Sequence, residues 1–111
     1  SNAMAAIDLA REYISRVNGR DGSGAAALFA QDGEIIAPVG RVYRGWDAIA
    51  AFIEAAPPAT TAQIAERTMG THRVVLHGVV QTPRFAPAQI EWIFDVDGDR
   101  IRRLTINHLR D

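Results

Sequence analysis

The second half of the chain alternates apolar and polar residues with a period of two, and this pattern constrains the fold more than any other feature. Four segments after Pro58 are rich in Val, Ile, Thr or aromatic residues, namely 60–69, 71–81, 86–96 and 100–109. Each segment is bounded by Gly, Pro or Asp-Gly, which predicts four antiparallel strands. The last two are separated by Asp97-Gly98, a signal for a tight hairpin.

The first half of the chain has helical periodicity instead. Apolar residues one helical turn apart predict an amphipathic helix over 5–18. A second short helix is predicted to end around Phe29, and a third begins at Trp46 and stops before Pro57. Short strands are predicted on either side of Pro38-Val39-Gly40. Three helices followed by a sheet predict a domain of the α+β class.

Composition excludes several classes of protein. A chain of 111 residues has the length of one domain, and 12 basic against 13 acidic residues leave a net charge of −1. We therefore expect no nucleic-acid or membrane partner. There is no cysteine, and no apolar run approaches the roughly 20 residues of a membrane span. We expect a cytoplasmic protein with one domain over 4–111, preceded by an expression-tag remnant at 1–3.

The stretch 28–53, LFAQDGEIIAPVGRVYRGWDAIAAFI, resembles the NTF2-like superfamily. Its pattern of Asp, then Pro-Val-Gly, then Arg-Gly before a helix is similar to the ketosteroid isomerases and the SnoaL-like polyketide cyclases. The resemblance implies a cone, or cystatin-like α+β roll, in which three N-terminal helices pack on a strongly curved, mostly antiparallel sheet. It also implies a pocket between these layers.

Ketosteroid isomerases use three functional positions. A helix tyrosine and a protonated carboxylic acid donate hydrogen bonds to the developing enolate oxygen, and an aspartate before Pro-Val-Gly moves the proton. The resemblance places Tyr13 at the tyrosine, Glu91 at the acid and Ala37 at the base. Because alanine carries no proton, the isomerase reaction should lose the roughly 10²–10⁴-fold that a general base contributes.

The strand 89–96 has two faces, and the resemblance implies a use for each. It predicts that Glu91 and Ile93 line the pocket, while the face with Ile90, Trp92 and Phe94 pairs with a second copy in a homodimer. Alternatively, the Trp92 face packs on the helices and leaves Glu91 solvated, paired with a neighbouring arginine. Tyr13 then remains an ordinary packed helix tyrosine.

Two residues are candidates for the missing base. Asp95 shares the face of Glu91, and His108 falls in step with Leu104 on the last strand. The alternative for His108 is an ordinary surface histidine. The remaining predicted pocket residues are Ala37, Phe29, Ile53 and Leu104. No histidine and carboxylate pattern fits a metal site and no glycine-rich phosphate loop is present, so we expect neither a metal nor another cofactor.

The sequence supports two functional hypotheses. In the first, an enzyme of the isomerase or cyclase type stabilises an oxyanion on a small hydrophobic carbonyl substrate. In the second, a non-catalytic ligand-binding or dimerisation module retains the pocket. The fold cannot separate them, because one scaffold hosts many activities.

Overall fold

A computed structural model describes residues 4–109; the tag remnant predicted at 1–3 and residues 110–111 lie outside this range. The helices are α1 (Ala6–Asn18), α2 (Gly22–Ala26) and α3 (Trp46–Ala55). The strands are β1 (Phe29–Ile36), β2 (Val42–Arg44), β3 (Thr60–Met69), β4 (Arg73–Gln81), β5 (Ala88–Asp97) and β6 (Arg100–His108), with a 3₁₀ turn at Pro38–Gly40. None of the helices in this range has both the length and the apolar character that crossing a membrane requires.

The six strands form one sheet in the order β2-β1-β6-β5-β4-β3. All neighbours are antiparallel except β1 and β6, which are parallel. The predicted α+β cone, with three helices on a mostly antiparallel sheet, is confirmed. The four predicted C-terminal strands are present within about two residues of their predicted bounds, as expected for pattern-based boundaries.

The short second helix ends earlier than predicted. Asp21 caps α2 by accepting a hydrogen bond from the Gly24 N–H at 2.9 Å, but the helix ends at Ala26. Phe29, predicted at a helix end, begins β1 instead and pairs with Ile101 of β6. Tertiary pairing prevails here because a five-residue helix containing two glycines is intrinsically weak.

The helices cover the sheet face that carries Ile90, Trp92 and Phe94. These side chains are buried in one core together with residues of α1, α2 and α3. The ring of Tyr13 on α1 meets the ring of Phe94 edge-on, with centroids 5.5 Å apart. The prediction that this face pairs with a second subunit is therefore wrong, because helices of the same chain already occupy it. We call it the inner face and the opposite one the outer face.

The outer face is organised in three rows that run across the strands. The charged row contains Arg73, Asp95, Arg103, Glu34 and Arg44, in register from β4 to β2. The apolar row contains Val75, Ile93, Thr105, Ile36 and Val42. The polar row contains His77, Glu91 and Asn107. The outer face thus has an apolar centre with a charged row on one side and a polar row on the other.

Candidate functional site

A groove of about 340 Å³ lies between α1 and β3, on the inner side of the sheet. We call it the α1–β3 groove; its lining residues are Arg11, Ile14, Ser15, Asn18, Ile64, Glu66 and Leu76. The volume is at the lower end of the roughly 300–1,000 Å³ typical of small-molecule sites.

Two polar contacts span the groove and join the helix to the edge strand. Arg11 of α1 donates to both carboxylate oxygens of Glu66 of β3, at 2.7 and 2.6 Å. Asn18 accepts a hydrogen bond from the Thr61 N–H at 2.9 Å and donates to the Thr61 carbonyl at 3.3 Å. Ile14, Ile64 and Leu76 form the apolar part of the lining, and Ser15 adds a further polar side chain. The groove therefore suits a ligand with both an apolar and a polar part.

Tyr13 lies on the inner side of α1, directly before the groove residue Ile14. Its side chain is 2% exposed and meets the rings of Phe29 and Phe94 edge-on, with centroid separations of 6.1 and 5.5 Å. Burial raises the pKa of the Tyr13 hydroxyl above its ordinary value. The hydroxyl is therefore a neutral hydrogen-bond donor at any physiological pH.

Trp92 is the second inner-face residue with a hydrogen-bond donor. It pairs in register with the groove residue Leu76, and it is 5% exposed. Its ring packs over Gly78, where an added Cβ would lie 3.2 Å from Trp92 Cζ3 and 3.3 Å from Ile64 Cγ1. Gly78 thus makes room for the indole of Trp92 and for the groove residue Ile64.

Neither donor is used within the described chain. Among residues 4–109, Thr82 Oγ1 is the one fully buried side-chain nitrogen or oxygen atom without a hydrogen-bond partner. The Tyr13 hydroxyl and the Trp92 indole N–H have no hydrogen bond to another group in this range, so each retains some contact with open space. By contrast, the Trp46 indole donates to the Phe29 carbonyl at 2.9 Å.

Ala37 is buried at the end of β1, 8% exposed. Ile35, two residues earlier, is fully buried, and strand alternation places Ala37 on the same inner side. Glu34 faces outward and accepts hydrogen bonds from Arg44 at 2.7 Å and Arg103 at 3.1 Å. It is engaged in the charged row and cannot replace the missing base.

Glu91 lies on the outer face, so the prediction that it shares a pocket with Tyr13 is wrong. Its carboxylate bonds to His77 Nε2 at 2.8 Å and accepts from Asn107 Nδ2 at 3.0 Å. Both contacts favour the anion and hold the pKa of Glu91 below its ordinary value. Glu91 is thus a carboxylate fixed among polar neighbours, the opposite of a protonated donor in an apolar site.

The other predicted residues divide between the two faces. Asp95 is on the outer face and accepts a hydrogen bond from Arg73 at 2.7 Å, so the prediction that it replaces the missing base in the pocket is wrong. Ile93 also lies on the outer face, in the apolar row, and does not line an inner pocket. His108 pairs in register with Ile90, which places it at the open end of the inner face with its side chain exposed.

The predicted lining residues Phe29, Ile53 and Leu104 are buried in the core, where they are packed among other side chains. Sequence reasoning missed Trp92 as an inner-face donor. The alternative that the apolar face of β5 packs on the helices would have found it. Within residues 4–109, no group of three or more histidine or acidic residues is placed to hold a metal ion.

The inner face has two neutral hydrogen-bond donors and, among residues 4–109, no buried charged side chain. Two neutral donors, Tyr13 and Trp92, lie on the inner face. Tyr13 contacts Phe94, and Phe94 is two residues from Trp92 on β5, or roughly 7 Å along the strand. Among residues 4–109 the buried charged side chain is Glu34, on the outer face. The chemistry available inside is hydrogen bonding to an acceptor in apolar surroundings.

Comparison with solved structures shows the same fold in several proteins. A protein from Xanthomonas campestris pv. campestris assigned as a polyketide cyclase superimposes with a TM-score of 0.84 at 21% identity, covering 98% of this chain and 93% of the other. A protein from Kribbella flavida assigned as a ketosteroid isomerase gives 0.82 at 18% identity, covering 93% and 76%.

A third structural match is part of a larger protein. The orange carotenoid protein of Anabaena (Nostoc) binding canthaxanthin gives a TM-score of 0.78 at 24% identity, covering 93% of this chain and 36% of that one. A search of curated proteins found no match.

The family model of the SnoaL-like domain matches residues 10–104, which is most of the chain and runs from within α1 to within β6. This match agrees with a further structural relative, a protein from Cytophaga hutchinsonii that is described as NTF2-like. The chain belongs to the SnoaL-like domain family.

Proposed function

We propose that the protein binds a small, mainly apolar carbonyl compound in the α1–β3 groove, and that Tyr13 and Trp92 donate hydrogen bonds to its oxygen. The observation that carries this proposal is the pair of nearly buried inner-face donors, Tyr13 and Trp92, that have no hydrogen bond within residues 4–109. A polar group that is nearly buried and unpaired costs stability, so its retention favours a ligand that pairs with it. The ligand is bound rather than isomerised, because Ala37 replaces the base.

The structural relatives support this class of ligand. One of them is described as binding canthaxanthin, and others are assigned as a polyketide cyclase and a ketosteroid isomerase. All three are similar to this chain in fold. The groove lining of Ile14, Ile64 and Leu76 is compatible with such a molecule.

A matched pair of ligands tests the proposal. 2-Acetylnaphthalene and 2-ethylnaphthalene have nearly the same shape, and only the first accepts hydrogen bonds. One neutral hydrogen bond should favour the ketone by about 2- to 12-fold in Kd. Tyr13→Phe and Trp92→Phe should each reduce that preference. Trp46→Phe is the matched control, because its indole is already bonded to Phe29.

Binding is measured by fluorescence titration, with isothermal titration calorimetry as a second method. Equal affinity of the wild-type protein for both ligands would contradict the proposal. A preference for the ketone that survives both substitutions would also contradict it, because the donors would then lie elsewhere.

A second candidate function is proton transfer on the bound ketone, favoured by the position of His108 at the open end of the inner face. In that case the protein should catalyse exchange of the acetyl protons for deuterium in D₂O, and His108→Gln should abolish the exchange. NMR integration of the methyl signal measures the rate. A rate equal to that in buffer leaves binding as the function.

We also infer that two copies pair through the outer face. Its apolar row places Val75, Ile93 and Val42 side by side on a surface that helices of the chain do not cover. Every carboxylate of the flanking rows is already partnered within the chain, so pairing leaves no lone anion at the interface. Ile93→Glu should convert a dimer into a monomer in sedimentation velocity; an unchanged dimer would exclude this face.

A further inference from the structure

A second cavity, of about 320 Å³, lies between α2 and α3 and shares no lining residue with the α1–β3 groove. The two helices approach closely at Gly22, where an added Cβ would lie 2.8 Å from the Ala50 carbonyl oxygen. On the α2 side the cavity is lined by Ser23, Ala26 and Ala27, and α3 adds Ala50. The three alanines leave space that longer side chains would fill. We call this space the α2–α3 cavity.

Trp46 lines the α2–α3 cavity with an aromatic ring that is fixed in place. Its side chain lies at the start of α3 and is 45% exposed, although the indole N–H donates to the Phe29 carbonyl at 2.9 Å. This hydrogen bond uses the polar atom of the indole and holds the ring against the body of the protein. The exposed part of the ring is left for stacking or cation–π contacts, which aromatic rings and ammonium groups make.

The cavity lining also contains one carboxylate and one guanidinium group. Asp47, in the first turn of α3, has no hydrogen bond or ion pair to another group in residues 4–109. Arg100, at the start of β6, contacts Asp99 through Nη1, at 3.1 Å to the carbonyl and 3.5 Å to the carboxylate. Its Nε and Nη2 groups make no hydrogen bond within the described range. Asp47 and Arg100 thus line one cavity without pairing with each other, and each can still bind a group of opposite charge.

We propose that the α2–α3 cavity binds an aromatic α-amino acid. The ring of the ligand stacks on Trp46, its ammonium group donates to Asp47, and its carboxylate accepts from Arg100. A ligand with a single positive charge would face Arg100 unpaired, and one with a single negative charge would face Asp47, so a zwitterion matches the site better than either ion. The volume is at the lower end of the range of small-molecule sites, which fits a ligand of this size.

Three related ligands test the charge pattern at about pH 7, where all their charged groups are ionised. L-Phenylalanine carries both charges, phenethylamine lacks the carboxylate, and 3-phenylpropionate lacks the ammonium group. L-Phenylalanine should bind about 2- to 5-fold more tightly than either, the value of one partly exposed ion pair. Nuclear magnetic resonance of the isotope-labelled full chain measures each Kd from the indole N–H signals. The signal of Trp46 should shift and that of Trp92 should not, and Trp46→Phe assigns the two.

Two substitutions locate the partners of the ligand. Asp47→Asn should remove the preference for L-phenylalanine over 3-phenylpropionate, and Arg100→Gln should remove the preference over phenethylamine. Each variant should keep the other preference. Glu54→Gln is the control for the first, because Glu54 lies on the same helix about 10 Å further along its axis. Arg102→Gln is the control for the second, because Arg102 lies on the same strand and pairs with Asp97 at 3.3 Å.

Ala27→Leu tests the position of the cavity without touching either charge. Ala27 is exposed at the end of α2, so a leucine there should fill the cavity and block binding while the fold is kept. An unshifted Trp46 signal at about 10 mM L-phenylalanine, which saturates a millimolar site, would overturn the proposal. Equal affinity of the wild-type protein for the three ligands would also overturn it. So would preferences that persist in both Asp47→Asn and Arg100→Gln, because the charged partners would then lie elsewhere.

Discussion

Replacing Tyr13 with phenylalanine should separate ligand binding from stability. The hydroxyl is nearly buried and has no partner within residues 4–109, while the ring packs edge-on against Phe29 and Phe94. Phenylalanine keeps the ring contacts and removes only the oxygen. Burial of an unpaired hydroxyl costs about 1–3 kcal/mol, and this hydroxyl retains some contact with open space. We therefore expect Tyr13→Phe to raise the free energy of unfolding by about 0–1 kcal/mol.

The same substitution should weaken binding of 2-acetylnaphthalene by about 2- to 12-fold, the value of one neutral hydrogen bond. Urea denaturation followed by tryptophan fluorescence gives the stability, and fluorescence titration gives the affinity. Tyr43→Phe is the matched control, because Tyr43 packs on Phe52 of α3 with centroids 4.5 Å apart, away from the rings that surround Tyr13. A loss of more than about 1 kcal/mol in Tyr13→Phe would refute the reasoning, since the hydroxyl would then hold a structural hydrogen bond.

Three further substitutions test the rest of the structure. Glu34→Gln should cost about 1–2 kcal/mol near pH 7, because Arg44 and Arg103 are more than half exposed and can be solvated. The two arginines lower the pKa of Glu34, so this stability is present above the unfolded glutamate pKa of about 4.3 and is lost below it; urea melts of the two proteins should converge in acid. Gly78→Ala should cost about 1–3 kcal/mol and alter the near-ultraviolet circular dichroism, because the new Cβ crowds Trp92. Ala37→Asp should cost about 1–3 kcal/mol near pH 7, and any ketosteroid isomerase activity gained in a spectrophotometric assay should be unaffected by a further Glu91→Ala.

The sheet was predictable because its signals are local. Alternation and turn residues between Thr60 and His108 define four strands, and the Pro57-Pro58 pair defines the end of α3. The start of β1 at Phe29 was not predictable, because its strand conformation depends on a parallel partner, β6, that lies some seventy residues away in the chain. Non-local pairing is invisible to a reading of local pattern.

The faces of β5 show a different limit. Alternation separates Ile90, Trp92 and Phe94 from Glu91 and Ile93, but it cannot say which set meets the helices. The outer face here has an apolar row of its own, so both sets include residues suited to burial. The choice depends on where α1 crosses the sheet. That crossing turns Glu91 outward and makes Trp92 the inner-face donor.

Because Trp92, and not Glu91, is the hydrogen-bond donor on the inner face, the structure predicts how ligand binding depends on pH. A carboxylic acid donates only while protonated, and the contacts of Glu91 lower its pKa, so a site built on it would lose affinity as the pH rises through that pKa. Tyr13 has a pKa raised by burial, and an indole N–H does not titrate. The Kd for 2-acetylnaphthalene should therefore be constant, within about twofold, from about pH 5 to pH 9. Fluorescence titration at intervals over this range measures it, with 2-ethylnaphthalene as the control for changes in the fold. A tenfold loss of ketone affinity with the slope of one proton would show that an ionisable acid, and not the two aromatic donors, binds the oxygen.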